Sequence, residues 1–384
     1  MIQVCPREDC TGCGLCSNLC PSGAITMVEA EDTGHFVPKI QQEKCVDCQL
    51  CVKKCPAQRQ PERKSALKTY AAWRTDANKQ RGSSSGGVAA AFYEKAIQEG
   101  FSVVGTYLDK DFRAKMLCTD RLEKCESFKG SKYVQASCGT AYSDAIKVLK
   151  QGGKVLFIGT PCQCAAMRSA ASQYSDRLLT VELICHGTPP QKIFLNYLAY
   201  ICRKKKTAAT SVSFRSPWGV ELTIANDRKI FWKCKVSEDD YMVAFQTGVL
   251  HNTACYHCLY ADKDRCADIT IGDFWKIGTT VPFQRPNCKV SVVVVNSEKG
   301  NAFLNGCSDL HLEERSYAEA LAGNPNLYRP SHKSLQYDVF WEAYHAQGIV
   351  AAMKKIGGCK LMLRRTKNKI VGTLKGMAKK VLRR

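Results

Sequence analysis

From Gln80 onward, short apolar runs of strand length alternate with longer stretches of helical period. A Ser/Gly-rich turn, Ser83 to Gly87, leads into a predicted helix over Val88–Glu99, and Phe101–Tyr107 reads as the following strand. Ala141–Lys150 predicts another helix, while Lys154–Gly159 and Leu178–Cys185 predict two buried strands. Gly187, Pro189 and Pro190 break the pattern behind them. Ser211–Arg215, Val220–Ala225 and Lys229–Trp232 read as a hairpin insertion, and Ile269–Trp275 and Val290–Val295 supply further strands. This alternation predicts one α/β domain over residues 81–345.

The first 62 residues read differently. Ala24–Val28 and His35–Ile40 predict two short strands around an acidic turn containing Gly34. Residues 57–80 are polar and basic apart from Thr69–Trp73, so 63–80 are read as a linker with a first strand. With 45% hydrophobic and 24% charged residues over 384 positions, the chain has a globular balance and can bury a core. No apolar run approaches the roughly 18 to 20 residues of a membrane-spanning helix. The amino terminus has neither the basic start nor the apolar core of a secretory signal, so the expected compartment is the cytoplasm.

Charge changes the picture at one end only. Lys and Arg number 56 against 35 Asp and Glu, a net +21, yet no acidic residue follows Glu342 and residues 360–384 carry ten positive charges. There Ile370, Val371, Leu374, Met377, Ala378, Val381 and Leu382 form one apolar stripe of a helix. Residues 346–384 are therefore read as a basic amphipathic tail. It is either a solvated or docked helix, or one that lies on an anionic membrane surface, placing the protein peripherally at the inner face of the membrane. The tail lacks aromatic interleaving and any base-reading motif, which argues against nucleic acid.

Cysteine carries most of the chemistry. There are 23, an odd number, and nine fall in the first 55 residues, which in a reducing compartment argues for metal thiolates over disulfides. One pattern occurs twice at an offset of 35: Cys10-x2-Cys13-x2-Cys16-x3-Cys20-Pro21 and Cys45-x2-Cys48-x2-Cys51-x3-Cys55-Pro56. A four-iron cube needs thiolates converging from several directions; the triplet wraps three around one face and leaves the fourth to come from elsewhere. Zinc also takes paired cysteines, but its sites usually close one tetrahedron from C-x2-C pairs. The segment resembles the bacterial 2[4Fe–4S] ferredoxins. The resemblance implies an α+β ferredoxin-like domain over 1–62 with two [4Fe–4S] clusters, one held by Cys10, Cys13, Cys16 and Cys55, the other by Cys45, Cys48, Cys51 and Cys20. Gly12 and Gly14 ease the first turn, whereas the second loop, Val46 to Leu50, has neither glycine. Cys5 lies outside the repeat and reads as a spare thiol.

Four later cysteines sit in telling places. Cys162 follows one predicted strand, Cys185 ends the next, and Cys255 and Cys258 form a C-x2-C pair. The carboxyl ends of strands form the binding crevice of open α/β sheets, so such thiols can face one ligand; buried structural cysteine is the competing reading. Ser84-Ser85-Gly86-Gly87-Val88, Lys129-Gly130-Ser131-Lys132-Tyr133, Gly159-Thr160-Pro161-Cys162-Gln163, Cys185-His186-Gly187, Cys255-x2-Cys258 and Asp268 to Trp275 follow in order. Together they resemble the coenzyme F420 hydrogenase/dehydrogenase beta-subunit family. The resemblance implies an FAD-binding α/β domain with a third [4Fe–4S] cluster on Cys162, Cys185, Cys255 and Cys258. Cys138, Cys164 and Lys276 depart from the family pattern.

In the loop of Ser84, Ser85, Gly86 and Gly87, amides and hydroxyls can meet a flavin pyrophosphate, although an ordinary Ser cap explains the same residues. With Gly130 allowing close approach, Lys132 either meets a phosphate or reduced flavin or is a surface lysine, and Tyr133 can stack. Asp273 orients flavin or substrate, or caps a strand end. His186 is a proton donor or a packed strand-end histidine. His257 reads as part of the turn between Cys255 and Cys258. The expected function is an FAD-dependent iron–sulfur oxidoreductase that passes electrons between a ferredoxin or other redox protein, the clusters, FAD and an unidentified small-molecule acceptor. The alternative is a non-catalytic electron-transfer subunit docking a separate redox enzyme, with polysaccharide biosynthesis as one setting.

Overall fold

The computed structural model describes residues 2–216, 219–284, 286 and 288–356. The stripe expected over residues 370–382 lies outside them. The amino-terminal segment forms an antiparallel pair, β1 (Ile25–Glu29) and β2 (Phe36–Ile40), with short helices at Leu15–Leu19 and Leu50–Lys53 behind the two cysteine loops. The repeat is visible in the backbone. Gly12 and Gly14 take φ of +67° and +82°, and the positions 35 residues later, Asp47 and Gln49, take +50° and +57°. The second loop thus makes the same left-handed turns without glycine, at a cost of about 1 to 2 kcal/mol for each side chain.

The larger unit is built on eight strands. They are β3 (Lys68–Arg74), β4 (Phe101–Leu108), β5 (Ala114–Thr119), β6 (Lys154–Gly159), β7 (Leu178–Leu183), β11 (Ile269–Asp273), β12 (Ser291–Val295) and β13 (Leu310–Arg315), in the order β13-β3-β12-β11-β7-β6-β4-β5. Strands β11, β7, β6 and β4 are parallel; β12, β3 and β13 extend one side antiparallel and β5 the other. A separate three-stranded antiparallel sheet holds β8 (Ser211–Ser216), β9 (Gly219–Ala225) and β10 (Ile230–Lys235).

Burial on both faces explains the apolar runs. Val293 and Val295 of β12 face one core with Leu156 and Ile158 of β6, beneath the helix Val88–Gln98. Val292 and Val294 point the opposite way. Val155 and Phe157 meet the helices Ala141–Lys150 and Pro161–Ala170 on the far side of β6. A third core joins the small sheet to the helices Gln191–Lys205, Asp240–Gln246 and Tyr337–Gln347. Residues 349–356 are helical and bury Ile349, Ala352, Met353 and Ile356 in that core. The described start of the basic tail is therefore packed. Among the described residues, no helix is long and apolar enough to cross a membrane.

The ferredoxin-like unit is fastened to the larger one through backbone groups. The Gln135 side chain accepts from Phe36 N (2.9 Å) and donates to Thr11 O (3.3 Å). Asn18 donates to Gly139 O (2.8 Å) and accepts from Ser143 N (3.1 Å), and Tyr260 donates to Pro56 O (3.0 Å). Glycine is needed at this contact: a Cβ on Gly14 would stand 2.2 Å from Cys138 Sγ, and one on Gly12 2.4 Å from Gln135 Nε2.

Gly14→Ala should therefore lower stability by about 1 to 3 kcal/mol, from strain and collision together. Gln49→Gly, at the equivalent turn, should be neutral or stabilising by up to about 1 kcal/mol. Anaerobic denaturant unfolding of both variants checks this; equal losses would show that close approach at Gly14 is not the cause.

Candidate functional site

The carboxyl ends of β6, β7 and β11 place the site. After β6, Thr160 caps the helix Pro161–Ala170, with its amide donating to Gln163 Oε1 at 2.9 Å, and this box sets Cys162 in the first turn. Cys185 stands two residues past β7, where its sulfur accepts from Gly187 N at 3.4 Å. Cys255 closes the short turn Thr253–Cys255, whose cap residue Asn252 accepts from Ala254 N (3.3 Å) and donates to Cys10 O (3.1 Å). Cys185 feels the charges of Cys255, Cys162 and Cys258, so the four thiols converge from three separate loops. Burial pushes Cys162 up to about 11 and Cys255 up to about 12, and the neighbouring thiolates add repulsion. Four thiolates in so dry a place need a cationic centre, and an all-sulfur donor set suits iron–sulfur chemistry.

The eight repeat cysteines separate into two groups, each lining a cavity of its own. Cys10, Cys13, Cys16 and Cys55 share one, together with Cys5; Cys20, Cys45, Cys48 and Cys51 share the other. Each group crosses the repeats as the ferredoxin resemblance implies. Backbone amides serve the sulfurs: Ala24 N donates to Cys20 Sγ at 3.3 Å, and Cys10 and Cys55 are met by the amides of Gly12 and Ala57. Such donors are the means by which a protein tunes a cluster. The groups adjoin one another. Cys16 lies near Cys51, Cys13 near Cys162, and the Thr11 side chain reaches the Cys162 sulfur. Cys48 is exposed at the far end of this row. Among the described residues no three His, Cys, Asp or Glu side chains close to single-ion distances.

Beside Cys162 and Cys185 opens a cavity of about 270 Å³. Ser84, Ser85, Gly87, Gly130, Lys132 and Tyr133 line it, as do His186, Asp273, and Thr11, Gly12 and Cys13 of the ferredoxin-like unit. Its size and mixed lining suit a cofactor or ligand. Gly86 does not line it. The Gly86 amide donates to Ser291 Oγ (2.9 Å), and a Cβ there would fall 2.1 Å from Ala72 O, so this glycine lets the loop lie on the sheet. Gly130, with φ of +79°, turns the second loop, where Ser131 N and Ser131 Oγ both bond Ser84 Oγ at 2.8 Å and tie the two loops together. Lys132 is no surface lysine. Its ammonium donates to the carbonyls of Ser127, Phe128 and Lys129 at 3.0, 2.8 and 2.9 Å, and burial pushes it down to about 7. Tyr133 is already stacked on Phe245, with centroids 4.9 Å apart, so its ring is fixed as a wall. His186 opens onto the cavity, and the surrounding protein lowers its pKa against the opposing pull of Asp273. His257 instead meets Asp9 at 3.2 Å on the outer surface.

Three residues escaped the sequence reading. Arg215, on β8, donates to both carboxylate oxygens of Asp273 at 2.7 and 2.6 Å, binding the small sheet to the end of β11. Gln135 bridges the two units. His251 is buried against Gly187, where a Cβ would come within 2.5 Å of the ring. Neither ring nitrogen makes a hydrogen bond of good geometry among the described residues, the Phe245 carbonyl approaching without it.

Comparison with known proteins agrees with this arrangement. The C-terminal domain of the coenzyme F420 hydrogenase/dehydrogenase beta subunit matches residues 152–319. A 4Fe-4S dicluster domain matches residues 9–58. The chain belongs to the coenzyme F420 hydrogenase/dehydrogenase beta-subunit family. The first match spans Cys162, Cys185, Cys255 and Cys258, and the second spans all eight repeat cysteines. A chain of the xenon-derivatised F420-reducing [NiFe] hydrogenase complex from Methanosarcina barkeri is similar at 17% identity, over 76% of this chain and 91% of that one, with a TM-score of 0.47. No curated protein matches the chain. As a member of this family with a dicluster domain in front, the protein is an iron–sulfur, electron-transfer protein of oxidoreductase type carrying [4Fe–4S] clusters.

The junction of the two units is acid-sensitive by construction. Burial lowers the pKa of His35 from 6.5 to about 4, while its Nε2 sits 3.0 Å from Thr188 O. A depressed pKa means that the unfolded state takes up the proton first. Stability from this group is complete above pH 6.5 and declines until about pH 4, by at most about 3 kcal/mol. Comparing wild type with His35→Gln in unfolding experiments from pH 7 to 4 checks this: the wild type should lose more, and parallel curves would contradict it.

Proposed function

We propose that the protein is an FAD-dependent iron–sulfur oxidoreductase in which electrons pass between an external redox protein and a small organic acceptor bound in the cavity. The observation that carries the reading is the contiguity of three thiol groups with that cavity: Cys48 exposed, Cys51 near Cys16, Cys13 near Cys162, and Cys162 with Cys185 in the cavity wall. A third [4Fe–4S] cluster on Cys162, Cys185, Cys255 and Cys258 fits the dry all-thiol set. FAD fits the lining, with Ser84, Ser85 and Gly87 offering hydroxyls and an open backbone for a pyrophosphate. Clusters carry single electrons, and a bound flavin exchanges them for two-electron chemistry.

The chain's own residues hold and shield. Lys132 is kept in place by three carbonyls, so its role is to fix the Gly130 loop and to lend the cavity positive charge whenever it is protonated. Arg215 and Asp273 close one wall and leave little net charge there. His186, held neutral by burial, can accept or return a proton at the cavity edge. On the other side, exposed Cys48 and Val46 form the face on which a ferredoxin-like donor would dock. The competing reading, a non-catalytic subunit that docks a separate enzyme, uses the same wiring without a bound acceptor.

Anaerobic purification with iron, sulfide and flavin analysis tests the proposal. About twelve iron atoms and one FAD per chain are expected, with Cys162→Ser falling to about eight iron atoms. About eight in the wild type would remove the third cluster, and absence of flavin would remove FAD. Turnover of small acceptors by the isolated, chemically reduced protein favours the enzyme; electron transfer only to a partner protein favours the carrier.

A further inference from the structure

Cys5 lies outside both cysteine repeats, yet it is 8% exposed and lines the same cavity as Cys10, Cys13, Cys16 and Cys55. It packs in one apolar group with Val4, Ile25, Cys10 and Cys55, and its thiol interacts with the last two. Shifting by the 35-residue offset of the repeat places Ile40 at the equivalent position of the second group, where it lines that cavity with a side chain that cannot donate. The two groups therefore differ by one hydrogen-bond donor in an otherwise duplicated setting.

We propose that Cys5 donates its S–H to the sulfurs of Cys10 and Cys55 and thereby raises the reduction potential of the cluster they hold relative to its neighbour. The proposal rests on the ligand grouping given above. A thiol is a weak donor, but here it is dry and its acceptors carry negative charge, which strengthens such a bond. Reduction adds a further electron to the thiolate-bound centre, so a donor to its sulfurs stabilises the reduced state more than the oxidised one. Burial of Cys10 and Cys55 works the other way by disfavouring the added charge, and the donor offsets it. With the inner cluster raised, electrons arriving near exposed Cys48 run downhill toward Cys13 and the cavity. Cys5 is a positioning and tuning residue; it touches no substrate.

The test is an anaerobic redox titration of the full-length protein, followed by electron paramagnetic resonance, with iron counted in each sample. In Cys5→Ala the midpoint of one amino-terminal cluster should fall while the other stays, with iron content unchanged. In Cys5→Ser the hydroxyl keeps a donor, and the midpoint should remain at or above that of the wild type. Identical titrations of wild type and Cys5→Ala overturn the proposal. So does an equal fall in both variants, which would make Cys5 a packing residue, or loss of about four iron atoms in both, which would make it a ligand. A wild type without the amino-terminal cluster signals would instead remove the ligand grouping, and the proposal with it.

Discussion

The contact on which the rest of this structure depends is the close descent of the first cysteine loop onto the carboxyl edge of the large sheet. Two glycines make it possible. Gly12 and Gly14 hold left-handed backbone conformations against Gln135 and Cys138 at distances that leave no room for a Cβ. Cys13 is thereby carried into the neighbourhood of Cys162, and Thr11 reaches the same sulfur. A loop held back by even one methyl group would part these thiols. Because Gln135, Asn18 and Tyr260 fasten backbone groups of the small unit, its register on the large one is set by directed bonds as well as by packing.

The sheet supplies the other half of the arrangement. Its four parallel strands bring Cys162, Cys185 and Asp273 to one edge because parallel strands end together, and cores on both faces keep them rigid. The three-stranded insertion then covers part of the crevice, and the Arg215–Asp273 pair fixes it there. A buried ion pair of this kind adds less to stability than to geometry. The result is a cavity walled by loops from distant parts of the chain, with thiols along one side and Ser/Gly turns along the other.

Much of this was legible in the sequence, and what was not has physical reasons. The central strands read clearly because burial on both faces makes them continuous apolar runs, as in Val292 to Val295. The two strands that escaped, β5 and β13, are the sheet's edges, where half-exposed sequences such as Leu310–Arg315 carry charge and blur the pattern. The helix Gln191–Lys205 also escaped, although Pro190 as its cap and the spacing of Ile193, Phe194, Tyr197, Leu198 and Ile201 carried the signal. The cysteine groups were readable because spacing encodes them. Arg215, Gln135 and His251 were not, because their meaning lies in partners such as Asp273, Phe36 and Gly187, 58 or more residues away in all three cases. Lys132 was found by its motif, but its three carbonyl partners could be seen only in the folded loop.

The account's central claim is that three thiol groups form one continuous row ending at the cavity. Iron anomalous scattering from crystals of the full chain, grown without oxygen, tests it most directly. Three iron centres are expected, near Cys48, near Cys13 and among Cys162, Cys185, Cys255 and Cys258, with flavin density beside the last. Iron at the two amino-terminal groups alone, or flavin bound away from Ser84 and Tyr133, would contradict it.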